Sequence, residues 1–452
     1  MLTFPVALLT YLKKGELVVC YILIVVFFSL SRFDSNLGVN FFGYYKNFLL
    51  TFLLITSGIL ALLWRPIKIN RFFVLLGIAI LFSYIITIII GIDYMPEFLY
   101  AFVWDGTLLF FSIIIFNVIS KCRNPFYLLI FLYILILINS IFSLISLYFP
   151  SAYSSLIGLV LTERNFGHSL FGNPVPTSVL VAIGLSLFLF IDFRRYLGYI
   201  WGLILNFSKL ILFINLILIQ RRSSLVYITV IIIVFFFFEF RGNITKKLKT
   251  IGITILILIL LFISQNYLVD TFGINRYTHI GINDIIYDSR FVGLNNALEL
   301  SAMNYFLPYG IGNVYERVYE SERYFMTQFY VGKNVLYIND KYVLIQAHNF
   351  YEWILLEYGI VALVLFILML FYLLWNNIRY IHNSEHFQIY ATTVIMVMTV
   401  FMFDSFPMNH LKLSVVFIII FSLNIIKLTE VKFNERVKKK YLAFSNEPDI
   451  QS

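Results

Sequence analysis

His348 and Asn349 stand in the stretch Ala347-His348-Asn349-Phe350-Tyr351-Glu352, immediately before a long apolar run. A histidine titrates near neutrality and is the usual general base, so this one could take a proton from a hydroxyl at the edge of that run. Histidines at such boundaries also serve as plain structural hydrogen-bonders. Glu352 follows one helical turn later, and Glu357 lies further in. Either carboxylate could orient or charge the imidazole. Glu352 could equally cap the helix that starts there.

Arginines supply the other chemistry. Arg221 and Arg222 sit side by side in Arg221-Arg222-Ser223-Ser224, a very short break between two apolar runs. Interfacial arginines often do no more than snorkel to headgroups. Charge near a membrane core is costly, however, and is often kept for function. Arg290 follows Asp288 and Ser289, either of which could cap the amphipathic stretch it opens. Read alone, it is a salt-bridged surface arginine. Arg164 lies in Thr162-Glu163-Arg164-Asn165-Phe166-Gly167-His168, ahead of Phe171-Gly172-Asn173-Pro174, where glycine and proline turn the chain into the next run. Read alone, that segment is a solvated loop. Pro308-Tyr309-Gly310-Ile311-Gly312-Asn313 is a glycine turn without the strand–turn–helix context of a nucleotide loop. These loops carry no two-histidine helix motif and no close aspartate pair. Chemistry there is expected to be metal-independent and cofactor-free, with guanidinium groups doing what a cation would otherwise do.

The elements that must position these residues follow from composition. The chain is 61% hydrophobic and 19% aromatic, and only 13% charged. A soluble domain carries roughly 25% charged residues. Apolar runs of about 20 residues recur, each long enough to cross a hydrocarbon core. In lipid they must be helical to satisfy their own backbone groups. The short alternating segments of a membrane β-barrel are absent.

The expected fold is an all-α polytopic membrane protein with about 12 transmembrane helices. They fall at 16–31, 44–64, 72–92, 98–119, 126–149, 175–192, 197–219, 224–240, 250–268, 351–375, 387–404 and 411–427, with Lys209 interrupting the seventh. The division is a bundle over 1–268, a large polar loop over 269–350, three more spans over 351–427 and a basic tail over 428–452. The loop should hold short amphipathic helices, for example over Arg290–Leu300, where Phe291, Leu294 and Leu298 have helical spacing. Cys20 and Cys122 lie in or beside apolar runs and read as core residues, not as a disulfide or a metal pair.

Charge sets the expected orientation. Lys13, Lys14, Lys68, Arg71, Lys121, Arg123, Arg194, Arg195, Lys246, Lys247, Arg379 and the tail basics fall in one set of loops. The opposite short loops hold only Arg32, Lys46, Arg164, Arg221, Arg222 and Lys412. The richer set should be cytoplasmic, with both termini inside and the 150–174, 221–224 and 269–350 segments outside. The net charge of +9 is thereby assigned to topology, and no nucleic-acid partner is expected. Lys13 and Lys14 precede a span that others follow, so no cleavable signal is read at the N-terminus.

The order of these pieces resembles the O-antigen polymerase and O-antigen ligase superfamily of bacterial envelope glycosyltransferases. The matching features are Arg164 with its Phe-Gly-Asn-Pro sequel, the Arg222 turn, Ser289-Arg290, Pro308-Tyr309-Gly310-Ile311-Gly312, and Ala347-His348-Asn349-Phe350 running into Leu356-Glu357-Tyr358-Gly359-Ile360. The family usually has serine before the arginine of the tight turn. This chain has Arg221 there, and alignment of the turn assigns the role to Arg222.

The resemblance implies a periplasmic-facing enzyme of the inner membrane acting on undecaprenyl-diphosphate-linked glycans. His348 would be the general base. Arg290 and Arg222 would stabilise the leaving diphosphate. Arg164, Arg221, Asn349 and Glu352 would bind substrate, and the polyprenyl tail would lie in an apolar groove. It also implies a chain-length regulator and a flippase as partners.

The polymerase reading is preferred, on the association of Phe-, Ile-, Tyr-, Asn- and Lys-rich chains with AT-rich polysaccharide clusters. The ligase reading shares its motifs. A flippase or transporter is the rival of another class. Against it stand the lack of an internal repeat and the clustering of charge on one face. Asp105 and Lys209 are the only mid-span polar candidates such a transporter would have.

Overall fold

The computed structural model describes residues 15–28, 39–41, 44–46, 48–63, 67–92, 95–122, 125–157, 169–170, 174–219, 222–239, 297–311, 335–338, 341–344, 349–382, 385–403 and 411–445. These form a bundle built from α1 (Gly15–Phe28), α2 (Phe48–Leu63), α3 (Arg71–Ile90), α4 (Met95–Ser120), α5 (Phe126–Tyr148), the short α6 (Pro150–Ile157), α7 (Pro174–Phe188), the single turn α8 (Arg194–Leu197), α9 (Tyr199–Leu218), α10 (Arg222–Glu239), α11 (Phe350–Arg379), α12 (Glu385–Phe403) and α13 (Leu411–Ser445). A further helical stretch covers 297–303. Two small antiparallel hairpins accompany the helices. In one, β1 (Val39–Phe41) pairs with β2 (Tyr44–Lys46), Val39 opposite Lys46. In the other, β3 (Val335–Ile338) pairs with β4 (Lys341–Leu344), Val335 opposite Leu344.

Among the described residues, α3, α4, α5, α9, α11, α12 and α13 are long and apolar enough to cross a membrane, and α1, α2, α7 and α10 are shorter apolar helices. The fold is an all-α polytopic membrane protein. The exposed faces show what solvent they are made for. Ile89 of α3 is 77% exposed, and Leu75, Ile78 and Ile88 lie open beside it. A helix apolar on every side belongs in hydrocarbon, where such a face carries no penalty.

Every expected span coincides with a helix except 250–268, which lies outside the described residues. Several boundaries differ by a few residues, and two of the differences have a structural reason. The second helix begins at Phe48 and not at 44, because Tyr44–Lys46 pair with Val39–Phe41. The last helix does not stop at 427 but runs to Ser445. Its basic extension is held to α11 and its C-cap: Tyr380 Oη donates to Glu435 at 3.0 Å, and Lys432 Nζ donates to Tyr372 Oη at 2.9 Å. Within the extended helix Lys427 pairs with Glu430 one turn on. Lys209 does not interrupt α9. Its ammonium donates to the Ile191 carbonyl and lies over the Phe193 ring.

Polar groups lock the apolar helices together. Tyr133 of α5 and Ser208 of α9 share a 2.7 Å hydrogen bond, and Asn215 of α9 donates to Ser140 Oγ at 2.6 Å. At Gly184 of α7 an added Cβ would come within 2.8 Å of Ile136 of α5, so the close approach of these two helices requires glycine.

Hydrogen bonds sort the helix ends into two faces. On the first, Ile311 meets Thr87 near the end of α3, Tyr351 meets Met398 near the end of α12, and Lys412 at the start of α13 meets Leu170. On the second, Lys68 meets Asn117, and Tyr380 meets Glu435.

Candidate functional site

The first face is organised around a break in α11. Gly359 has φ 82° and ψ 175° in an otherwise helical run. A Cβ there would meet Pro308 Cδ at 2.8 Å, and positive φ is unfavourable for any other residue. A break leaves backbone groups without their helical partners, and buried ones must be satisfied elsewhere. The 306–309 segment supplies them. Tyr309 N–H donates to the Leu356 carbonyl at 2.9 Å, and Ile360 N–H donates to the Phe306 carbonyl at 3.3 Å. The segments Pro308–Ile311 and Leu356–Ile360, far apart in the chain, are thus one structural unit. Tyr305 and Phe306 hold φ of 54° and 59° to make this turn, conformations that side chains rarely adopt.

The unit is tied to α3 and α4. Ser83 Oγ donates to the Tyr358 carbonyl at 3.0 Å, a proton it shares with the Ala79 carbonyl. Ile311 N–H donates to Thr87 Oγ1 at 3.0 Å. Asp105 of α4 accepts from Tyr84 Oη at 2.8 Å and Tyr358 Oη at 2.5 Å, both on Oδ2. Beyond the break, Tyr309 Oη donates to the Leu300 carbonyl at 2.8 Å. Burial raises the Tyr309 phenol above its ordinary range, so it stays a donor.

The half-helix ahead of the break begins at the candidate residues. Asn349 is the N-cap of α11, and its Oδ1 accepts from Tyr351 N–H at 2.9 Å and Glu352 N–H at 3.5 Å. Among the described residues its buried Nδ2 has no hydrogen-bond partner, nor has Oε2 of Glu352. Glu352 stands in the first turn, where the helix dipole favours a negative charge. Phe350 packs on Phe401 of α12, and Tyr351 Oη donates to the Met398 carbonyl at 3.1 Å.

Arg222 is the first residue of α10, which packs on α7, α9 and α12. The next two residues, Ser223 and Ser224, are buried, with hydroxyls that have no hydrogen-bond partner among the described residues. His348, Arg290, Arg164 and Arg221 lie outside the described residues, as do Phe291 and Leu294. Of the expected amphipathic face, Leu298 is 42% exposed, while its neighbours Ala297, Leu300 and Ser301 are buried, so the described end of that helix turns a different side inward. At residues that follow the Arg164 segment in the chain, the Ser169 carbonyl accepts from Tyr153 Oη at 2.9 Å and the Leu170 carbonyl accepts from Lys412 Nζ at 3.1 Å. Burial pushes the Tyr153 phenol up to about 12.

Between α3, α4, α11 and α13 lies a cavity of about 1310 Å³. Its lining is mainly apolar, with Leu76, Leu108, Trp353, Ala362, Phe401 and Phe417 prominent and Asp105, Ser112 and Ser414 among its few polar groups. It extends from Phe350 and Phe401 on the first face to Arg71 and Thr429 toward the second. Among the described residues no group of His, Cys, Asp or Glu is arranged to hold a metal ion.

Residues 207–367 match the family model Wzy_C, described as O-Antigen ligase. This match supports the O-antigen polymerase and ligase superfamily. No curated protein matches the chain. The superfamily segment takes in Arg221, Arg222, Arg290, His348, Asn349 and Glu352, and it ends beyond the break at Gly359. Arg164 lies ahead of it. Within the superfamily segment, sequence reading missed the helix break. Its one local signal was a glycine inside an apolar run. It registered Asp105 only as an isolated mid-span charge, because the tyrosines that receive it come from two other helices.

Proposed function

We propose that this protein is an O-antigen polymerase, joining undecaprenyl-diphosphate-linked repeat units outside the cytoplasm of a bacterial inner membrane. The reading is carried by the superfamily match, which includes Arg222, Arg290 and His348. The half-helix that follows His348 borders an apolar cavity of about 1310 Å³, a size and character suited to a polyprenyl tail. The second face carries Lys68, Arg71, Arg194, Arg195, Arg379 and Lys432, which favours it as the cytoplasmic side.

In this mechanism the acceptor sugar hydroxyl attacks the anomeric carbon of the donor glycan. His348 takes the hydroxyl proton as the new glycosidic bond forms. The bond from the anomeric carbon to the phosphate oxygen breaks, and the diphosphate leaves with its electron pair. Arg222 and Arg290 hold that growing charge in forked hydrogen bonds, which removes the need for a metal. Arg164 and Arg221 bind the donor, and Asn349 and Glu352 bind the acceptor. A single displacement inverts the anomeric configuration. A flippase would deliver the repeat units, and a chain-length regulator would set how many are joined.

The description of the matched family as O-antigen ligase favours a second reading, transfer of finished polymer to lipid A–core. A transporter is less well supported. Its two candidate mid-span groups, Asp105 and Lys209, are engaged by tyrosine hydroxyls and a backbone carbonyl. The deciding experiment puts His348→Ala into a host lacking the native gene and resolves its lipopolysaccharide on a gel. A polymerase leaves single-repeat caps in place of a ladder. A ligase leaves bare core, with polymer retained on the carrier lipid. A full ladder removes His348 as the base.

A further inference from the structure

Asp105 is a carboxylate in the interior of an apolar bundle, 3% exposed, on the wall of the large cavity. A buried charge is tolerated only with strong partners. Its partners are the hydroxyls of Tyr84 and Tyr358, from α3 and α11, and both bonds fall on the same oxygen. Tyr358 is the last residue before the break at Gly359. Its hydroxyl is held by Asp105 and its carbonyl by Ser83. On either side of it, the Leu356 carbonyl and the Ile360 amide bond to Tyr309 and Phe306. The 350–358 half-helix therefore has its base clamped at Tyr358 and its tip at Asn349, next to His348.

We propose that Asp105 is a positioning residue for glycosyl transfer: through Tyr358 it holds the 350–358 half-helix against the 306–311 segment, and so keeps the tip of that half-helix, at Asn349 and Glu352, in register with the lipid cavity. This rests on the transferase function proposed above. Asp105 touches no substrate group in this role. Released from Asp105, the half-helix can pivot at Gly359, and a small displacement at its base is carried to its tip. Misplacement of a catalytic group by about 1 Å costs on the order of 100-fold in rate.

The test uses the full-length protein in nanodiscs with a lipid-linked repeat unit as substrate. Asp105→Leu and Tyr358→Phe should each lower kcat by roughly 10- to 100-fold, with KM changed less than about twofold. Their effects should not add, since both break one contact. Asp105→Asn keeps an oxygen that accepts from both tyrosines and should recover most of the turnover. A second readout needs no activity. Ile311 is fully buried, so Ile311→Cys, in a Cys20→Ser and Cys122→Ser background, should react slowly with a maleimide. Adding Asp105→Leu should speed that labelling by about tenfold or more, as the segment opens locally.

Wild-type kcat in Asp105→Leu, or slow labelling in its presence, overturns the proposal. So does an Asp105→Asn variant as inactive as Asp105→Leu, because the charge itself would then be needed. A wild-type protein without transferase activity would instead remove the proposed function, and the labelling would still decide whether Asp105 holds the segment.

Discussion

Tyr309 donates its backbone N–H to the carbonyl oxygen of Leu356 at 2.9 Å. That bond replaces one that α11 loses at Gly359, and it joins the large loop to the helix bearing Asn349 and Glu352. A loop residue completes a membrane helix. Irregular backbone at membrane depth is tolerated only when protein satisfies its polar groups, as happens here.

The break can be tested directly. Gly359→Ala places a Cβ against Pro308 in a backbone conformation unfavourable to alanine. It should destabilise the protein by about 1–3 kcal/mol. In detergent the melting midpoint should fall by a few degrees, and transferase activity should fall with it. An unchanged midpoint would mean that the helix closes without glycine.

The cavity predicts a chain-length effect. Ala362 lines it and is only partly buried, so Ala362→Phe should occupy part of the space without overpacking the bundle. KM for a full-length polyprenyl donor should rise roughly tenfold, the loss of a few buried methylenes. A short-chain donor should keep its wild-type KM. Equal effects on both donors would place the tail elsewhere.

The paired arginines can be separated by keeping their charge. Arg222→Lys removes the planar fork at the start of α10 and should lower kcat by about 10- to 100-fold. Arg221→Lys should act mainly on donor KM. The reverse assignment of the two effects would exchange their roles.

Asp192 allows a pH test away from the proposed site. Arg194 donates to its carboxylate through Nε and Nη2, and Asn206 donates at 2.7 Å. These bonds, that of Arg194 first, hold the Asp192 carboxyl well below the usual carboxylate range. A depressed folded-state value makes its stabilisation fully present above the unfolded value, about 3.9, and lost only as pH falls below it. The difference in melting midpoint between wild type and Asp192→Asn should therefore be constant from pH 8 to about pH 5 and shrink at lower pH. A difference that changes near neutrality would contradict this pairing.

Much of this protein is legible without coordinates. Apolar runs in a chain with few charges force helices, because nothing else satisfies a backbone in lipid. The positions of those runs, the sidedness of the basic residues and the order of Arg222, Arg290 and His348 are local facts, written one residue after another. Leu356-Glu357-Tyr358-Gly359-Ile360 also reads locally, as an uninterrupted span, since a single glycine within a helix is tolerated. Only the folded chain brings Phe306 and Tyr309 to the orphaned groups on either side of Gly359, and those bonds stabilise the break. Asp105 was visible as a costly charge, but its meaning depended on Tyr84 and Tyr358 arriving from two other helices. Periodicity and hydropathy act along the chain, whereas hydrogen bonding across helices depends on which faces meet, and that was settled by packing.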